Sequence, residues 1–120
     1  MKLTIIKISN YLHSLQLIED KVAGKLGYFV ARNIRLLSNE LTEFEKIRTD
    51  LIYKYGTQIG EDEYKVLENT SEYVEFSNEL QTFFDIEHDV NFSRVPASLV
   101  MNSSLTAKEI NNIFFMIEEE

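Results

Sequence analysis

Apolar residues return every three or four positions from Val30 onward: Val30, Ile34, Leu37, Leu41, Phe44, Leu51 and Tyr55, with Arg48 in the one polar place of the series. That alternation is the period of a single helical face, so residues 26–55 are predicted as one long helix of about eight turns. Gly56 is expected to end it in the left-handed conformation, with Lys54 near the negative end of the helix dipole. A second series, Ile8, Tyr11, Leu12, Leu15, Ile18 and Val22, predicts a shorter helix upstream, and Gly24 and Gly27 bracket a tight break between the two. Two antiparallel helices of unequal length follow. Residues 2–8 are rich in β-branched side chains and are expected to form a short strand, with the first helix starting near Ser9. The competing start has Thr4 as the N-cap, with Leu3 and Ile8 as a hydrophobic staple.

Beyond Gly56 the pattern changes. Residues 57–69 hold Gly60 and the run Glu61, Asp62, Glu63, and read as a mostly exposed connection with one short apolar stretch, residues 64–67, as a candidate strand. Tyr73, Phe76, Leu80 and Phe83 predict a helix over about residues 71–84. Ile86, His88, Val90 and Phe92 alternate with polar residues as in a half-buried strand, which Pro96 ends or confines to an edge. Thr106 and Glu109 have capping-box spacing ahead of Ile110, Ile113, Phe114 and Ile117, predicting a last helix that runs into three glutamates and frays there. The expected fold is α+β, mainly α. A long antiparallel helical hairpin, residues 1–56, precedes a small acidic half, residues 57–120, with one or two short strands, all in a single domain.

Charge divides the same way. Residues 1–56 hold nine Lys and Arg against six Asp and Glu, whereas residues 57–120 hold three against fourteen, which together give the net charge of −8. Such asymmetry speaks to partners and solubility. An acidic chain is poorly suited to contact nucleic acid directly, because phosphates demand clustered Lys and Arg. A basic protein is the expected partner, and homo-oligomers are open. With 44% hydrophobic residues the 120-residue chain can build one core, and with no cysteine it has no disulfide and no thiolate site. The opening residues are too short an apolar run for a signal segment, and no later run is long enough to span a bilayer, so a location inside the producing cell is expected.

Catalytic equipment is sparse. His88 sits on the apolar face of its strand, where a hydrogen-bonded core histidine is commoner than a catalytic one, and alternation sends Glu87 and Asp89 to the opposite face from it. His13 has no carboxylate within one turn. Glu61, Asp62 and Glu63 lack the ladder of a calcium loop, and no glycine cluster or nucleophile elbow is present. No cofactor, metal or enzymatic activity is expected. Arg48, in the apolar series, must snorkel or pair, with Glu45 the candidate partner; alternatively it marks a contact with an acidic surface. Lys21, Lys25, Arg32 and Arg35 cluster around the hairpin bend, a weak case for phosphate contact in so acidic a chain. Glu72, Glu75 and Glu79 line one stripe of the third helix, either as a solvated face or as a row imitating phosphates.

The segment Tyr28-Phe29-Val30-Ala31-Arg32-Asn33-Ile34-Arg35, with Asn39-Glu40-Leu41, Phe44-Glu45, Arg48 and Tyr53-Lys54-Tyr55-Gly56, resembles a family of small uncharacterised proteins encoded by tailed phages and prophages of Gram-positive bacteria. Phe76, Glu79 and Leu80, then Leu105-Thr106, Glu109-Ile110 and Phe115-Met116-Ile117, continue the similarity. The resemblance implies a phage-encoded product acting in the cytoplasm of an infected bacterium, and carries over no site residues. Two functions are then expected. One is an inhibitor or adaptor of a host protein, such as a nucleic-acid-binding defence protein or CRISPR effector, with Glu72, Glu75, Glu79, Glu87 and Asp89 as its acidic contacts. The other is a virion-assembly or head-to-tail accessory protein associating through the amphipathic hairpin.

Overall fold

The computed structural model describes residues 1–119 and has the mainly-α, α+β architecture expected, built around a helical hairpin. In chain order the elements are β1 (Lys2–Leu3), α1 (Ile5–Ile18), α2 (Gly24–Tyr55), β2 (Thr57–Gly60), β3 (Glu63–Lys65), α3 (Ser71–Phe84), β4 (His88–Asp89), β5 (Val95–Pro96), α4 (Ala97–Met101), α5 (Ala107–Asn112) and β6 (Ile117–Glu118), with a 3-10 turn at Phe114–Met116 before the last strand. At about 1.5 Å per residue, the 32 residues of α2 reach nearly the length of the molecule, whose longest axis is 54 Å. It is the spine on which everything else is laid.

The line that α2 buries is offset from the apolar series that predicts the helix. Leu26, Val30, Asn33, Leu37, Phe44 and Leu51 are buried, and the intervening places fall to half-buried Glu40 and Ile47. Ile34 and Leu41 flank this line half-buried, and Arg48 lies outside it, exposed and paired with Glu45 at 3.3 Å. The helix is therefore predicted correctly while its inward face is rotated, because buried Asn33 and half-buried Glu40 occupy inward positions that hydrophobicity alone assigns to solvent.

The first helix starts earlier than Ser9. The Thr4 hydroxyl accepts a hydrogen bond from the Lys7 amide, capping α1 at Ile5, and Leu3 and Ile8 on either side of the cap are both buried. Only Lys2 and Leu3 remain as strand, paired antiparallel with β4. Ile5, Ile8, Leu12, Leu15 and Ile18 face α2 across the hairpin. Between the helices Gly24 takes a left-handed φ of 61°, whereas Gly27 lies within the first turn of α2.

Gly56 ends α2 without the left-handed turn predicted for it. Its backbone is extended, at φ −83° and ψ 158°, while its N–H donates to the Ile52 carbonyl at 2.7 Å. A Cβ there would collide with that carbonyl oxygen, so glycine is required by close approach and not by its φ. The stretch after Gly56 is mostly exposed, as expected, but it forms a two-stranded hairpin where a single candidate strand over residues 64–67 was expected. Strands β2 and β3 pair antiparallel with a bulge between Gln58 and Gly60, and Asp62 takes a positive φ of 60° in the turn, a conformation aspartate tolerates.

Helix α3 has the predicted bounds, with Thr70 accepting from the Tyr73 amide as its N-cap. The strand predicted from Ile86 to Phe92 shortens to β4, and Ile86 is exposed, although His88 and Val90 keep the inward side of the alternation. Pro96 does not end that strand, which stops at Asp89; it is the last residue of a separate edge strand, β5, paired parallel with β6 just before α4. Both halves of the Thr106 and Glu109 capping box form, but α5 stops at Asn112 and the chain extends so that Ile117 pairs with Val95. No fraying last turn exists among the described residues, because the sheet partner replaces the helix predicted there; Glu120 lies outside the described residues.

One core runs through α1, α2 and residues 90–117, closed by Val90, Val95, Val100, Ile113, Met116 and Ile117. Tyr11 stacks on Phe115 at 4.0 Å, and Phe92 meets the same ring at 4.9 Å. The C-terminal segment therefore completes the hairpin's core. What projects is the end of α2 with the β2–β3 hairpin and α3.

Candidate protein-docking surface

The projecting region, called the arm below, buries little of its surface. Helix α3 has no buried residue; Leu80, Phe83 and Phe84, half-buried, pack at its end against the main core. The rings of Phe44 and Phe84 lie 5.4 Å apart. Leu51 and Val66 are buried outside the main cluster, and Tyr53 meets Tyr64 edge-on at 4.7 Å, which seats the hairpin on α2. Residues 71–75, the first turn of α3, are exposed on every face.

A polar lock fixes α3 to the end of α2. The Tyr55 hydroxyl donates to Glu79 Oε2 at 2.6 Å, and the Lys54 ammonium donates to both oxygens at 3.3 Å. The Tyr55 hydrogen bond holds the Glu79 carboxyl below its ordinary pKa, against partial burial that pushes the other way, with Lys54 adding to the lowering. The same hydrogen bond raises the Tyr55 phenol, and the Lys54 ammonium is raised first by Tyr55 and then by Glu79.

The five predicted contact acids are thus placed differently from one another. Glu79 is engaged inside the molecule. Asp89 pairs with the amino terminus at 3.4 Å, beside the β1–β4 ladder. Glu72 is exposed and touches only the Ser71 hydroxyl, at 3.4 Å, while Glu75 and Glu87 are exposed and make no hydrogen bond or ion pair with a described residue. Glu72 and Glu75 share the open turn of α3, whereas Glu87 and Asp89 lie past its other end. Glu61, Asp62 and Glu63, weighed above only as a calcium loop, and Glu68 join the arm as exposed and unpaired carboxylates. The run of three acids in print was the available signal.

Apolar side chains stand among these acids. Ile59, Tyr64, Leu67, Tyr73 and Val74 are exposed, Val74 at 57% and Ile59 at 56%. No protein-family model, no curated protein and no solved structure matches the chain. The arm's chemistry therefore has to be read from its own residues.

The two histidines lie outside the arm. His88 Nδ1 lies 3.1 Å from Glu40 Oε2, half-buried, an internal tie between β4 and α2. His13 is exposed, with no partner among the described residues. Among those residues no three His, Asp or Glu side chains converge as a metal site, and no helix is long and apolar enough to cross a membrane.

Proposed function

We propose that the chain is a protein-interaction module whose acidic arm docks on a basic protein. One observation carries the reading. Residues 57–84 hold seven carboxylates against the single Lys65, and apart from Glu79 and the Ser71 contact of Glu72 these carboxylates are exposed and unpaired around exposed Tyr64, Leu67, Tyr73 and Val74. Negative charge interspersed with exposed apolar side chains suits a partner surface of Lys and Arg that also offers apolar contact, with charge setting encounter and register. In keeping with the resemblance to phage-encoded proteins, the partner is read as a nucleic-acid-binding defence protein of the host, its basic channel occupied by the arm in the infected cell's cytoplasm. This is a binding function and not an enzymatic one.

Assembly through the apolar seam of the hairpin has less to support it. That seam is covered within the chain by residues 90–117, leaving Ile6 and Leu17 as the exposed large apolar side chains of α1. A tagged protein recovered from infected-cell lysate at low and high salt tests the reading. A host nucleic-acid-binding protein, held at low salt, released at high salt and lost on E72K/E75K substitution, is expected. Recovery of virion proteins alone, insensitive to salt, would count against it.

A further inference from the structure

The opposite end of the spine carries the reverse chemistry. Along the outer side of α2 a shallow groove of about 380 Å³ is lined by Tyr28, Arg32, Arg35, Leu36 and Asn39. A second, about 290 Å³, is bounded by Lys25, Phe29, Arg94, Pro96 and Leu99. Tyr28 and Phe29 meet edge-on at 5.5 Å, so the two grooves adjoin as one surface. In a chain with twenty acids, no carboxylate lines either groove, and Lys25, Arg32, Arg35 and Arg94 make no ion pair with a described residue.

That leaves four cations and two aromatic rings without an anionic counterpart. The molecule cannot supply one from its own arm. Arg35 and Tyr55 are separated by about 30 Å of rigid helix at 1.5 Å per residue, beyond the reach of any side chain. A second copy can. Its arm offers carboxylates at Glu72 and Glu75 beside exposed Tyr73 and Val74, and guanidinium forks recognise carboxylates with paired hydrogen bonds while Tyr and Phe supply apolar contact. We propose that copies of this chain associate head to tail, the arm of one seated on the Arg32–Arg35 surface of the next. The contact is heterologous and leaves one arm and one basic surface free at the ends, so it grows beyond a dimer. Net repulsion between copies does not forbid it. With a Debye length of about 8 Å at physiological salt, most charges along a 54 Å molecule are screened from the contact. The proposal stands independently of a host partner, because neutralising Arg32 and Arg35 leaves the arm free to bind one.

Sedimentation of the full chain across concentration, at about 50 mM and about 500 mM salt, tests it. Mass is expected to rise past the dimer at low salt and fall toward the monomer at high salt. R32S/R35S and E72Q/E75Q are each expected to weaken association by about tenfold or more, with unchanged circular dichroism. Mixed in equal amounts they should form a one-to-one dimer and nothing larger, since each retains one intact side of a single contact. A wild-type chain monomeric at every concentration would overturn the proposal, as would association unaffected by either neutralisation. Association unchanged in R32S/R35S, with loss of binding to a labelled single-stranded oligonucleotide, would assign the grooves to nucleic acid and equally overturn it.

Discussion

Asn33 uses both ends of its amide on one residue: its Nδ2 donates to the Ser93 carbonyl at 3.0 Å, and its Oδ1 accepts from the Ser93 N–H at 2.8 Å. The wholly buried side chain thus pairs with a passing backbone as a neighbouring strand would, on the inward face of α2. Substituting Asn33→Ala leaves a peptide group without partners beside the core, and is expected to cost about 2 kcal/mol in urea unfolding. Arg48→Ala removes only an exposed pair with Glu45, and should stay within about 0.5 kcal/mol of the parent. These two positions separate what apolar spacing encodes from what tertiary contact decides. Apolar spacing finds the helix, but the apolar series through Ile34, Leu41 and Arg48 and the buried line through Asn33, Glu40 and Ile47 share Val30, Leu37, Phe44 and Leu51, and hydrophobicity favours the first. What decides for the second is tertiary. The partners of Asn33 and Glu40 are Ser93 and His88, 60 and 48 residues away.

Among the elements, the docking of α3 rests on a titratable lock, so acid should loosen it. Glu79 is lowered from its ordinary value of 4.5 by the Tyr55 hydroxyl, and Glu109 is lowered by Lys21, 2.6 Å away, and by the Thr106 backbone. A lowered carboxyl contributes stability that is complete above its unfolded value and is lost as pH falls through its folded one. Amide exchange in α3 should therefore quicken as pH drops below about 4.5, after correction for intrinsic rates, and Tyr55→Phe should flatten that dependence near α3 while leaving the Glu109 contribution intact. A Tyr55→Phe chain with an unchanged acid profile would show the lock to be idle. Gly56→Ala is expected to destabilise by about 1 kcal/mol or more, because the new Cβ meets the Ile52 carbonyl; the measurement is thermal unfolding. Element ends were legible where a side chain signals them locally, as with Thr106 and Glu109. They were not legible where a distant strand decides: α5 stops at Asn112 because Ile117 pairs with Val95.

Across the whole molecule, charge and packing divide the chain in different places. Charge changes at Gly56, but the core takes in residues 90–117 and, of the arm, only the half-buried Leu80, Phe83 and Phe84 at the end of α3 pack on it. The acids at Glu72 and Glu75 were legible as a stripe, whereas the internal use of Glu79 and Asp89 depends on Tyr55 and on the amino terminus, which no spacing within the helix reveals. The arm is the surface proposed to receive a basic partner. Hydrogen exchange of the chain, free and with a synthetic lysine-rich amphipathic peptide at low salt, tests it most directly. Fast exchange is expected over residues 57–75 in the free chain, slow exchange at the buried face of α2 near Leu37, and new protection on peptide addition confined to residues 57–84. Protection falling instead on residues 88–119, or none at any peptide concentration, would contradict it.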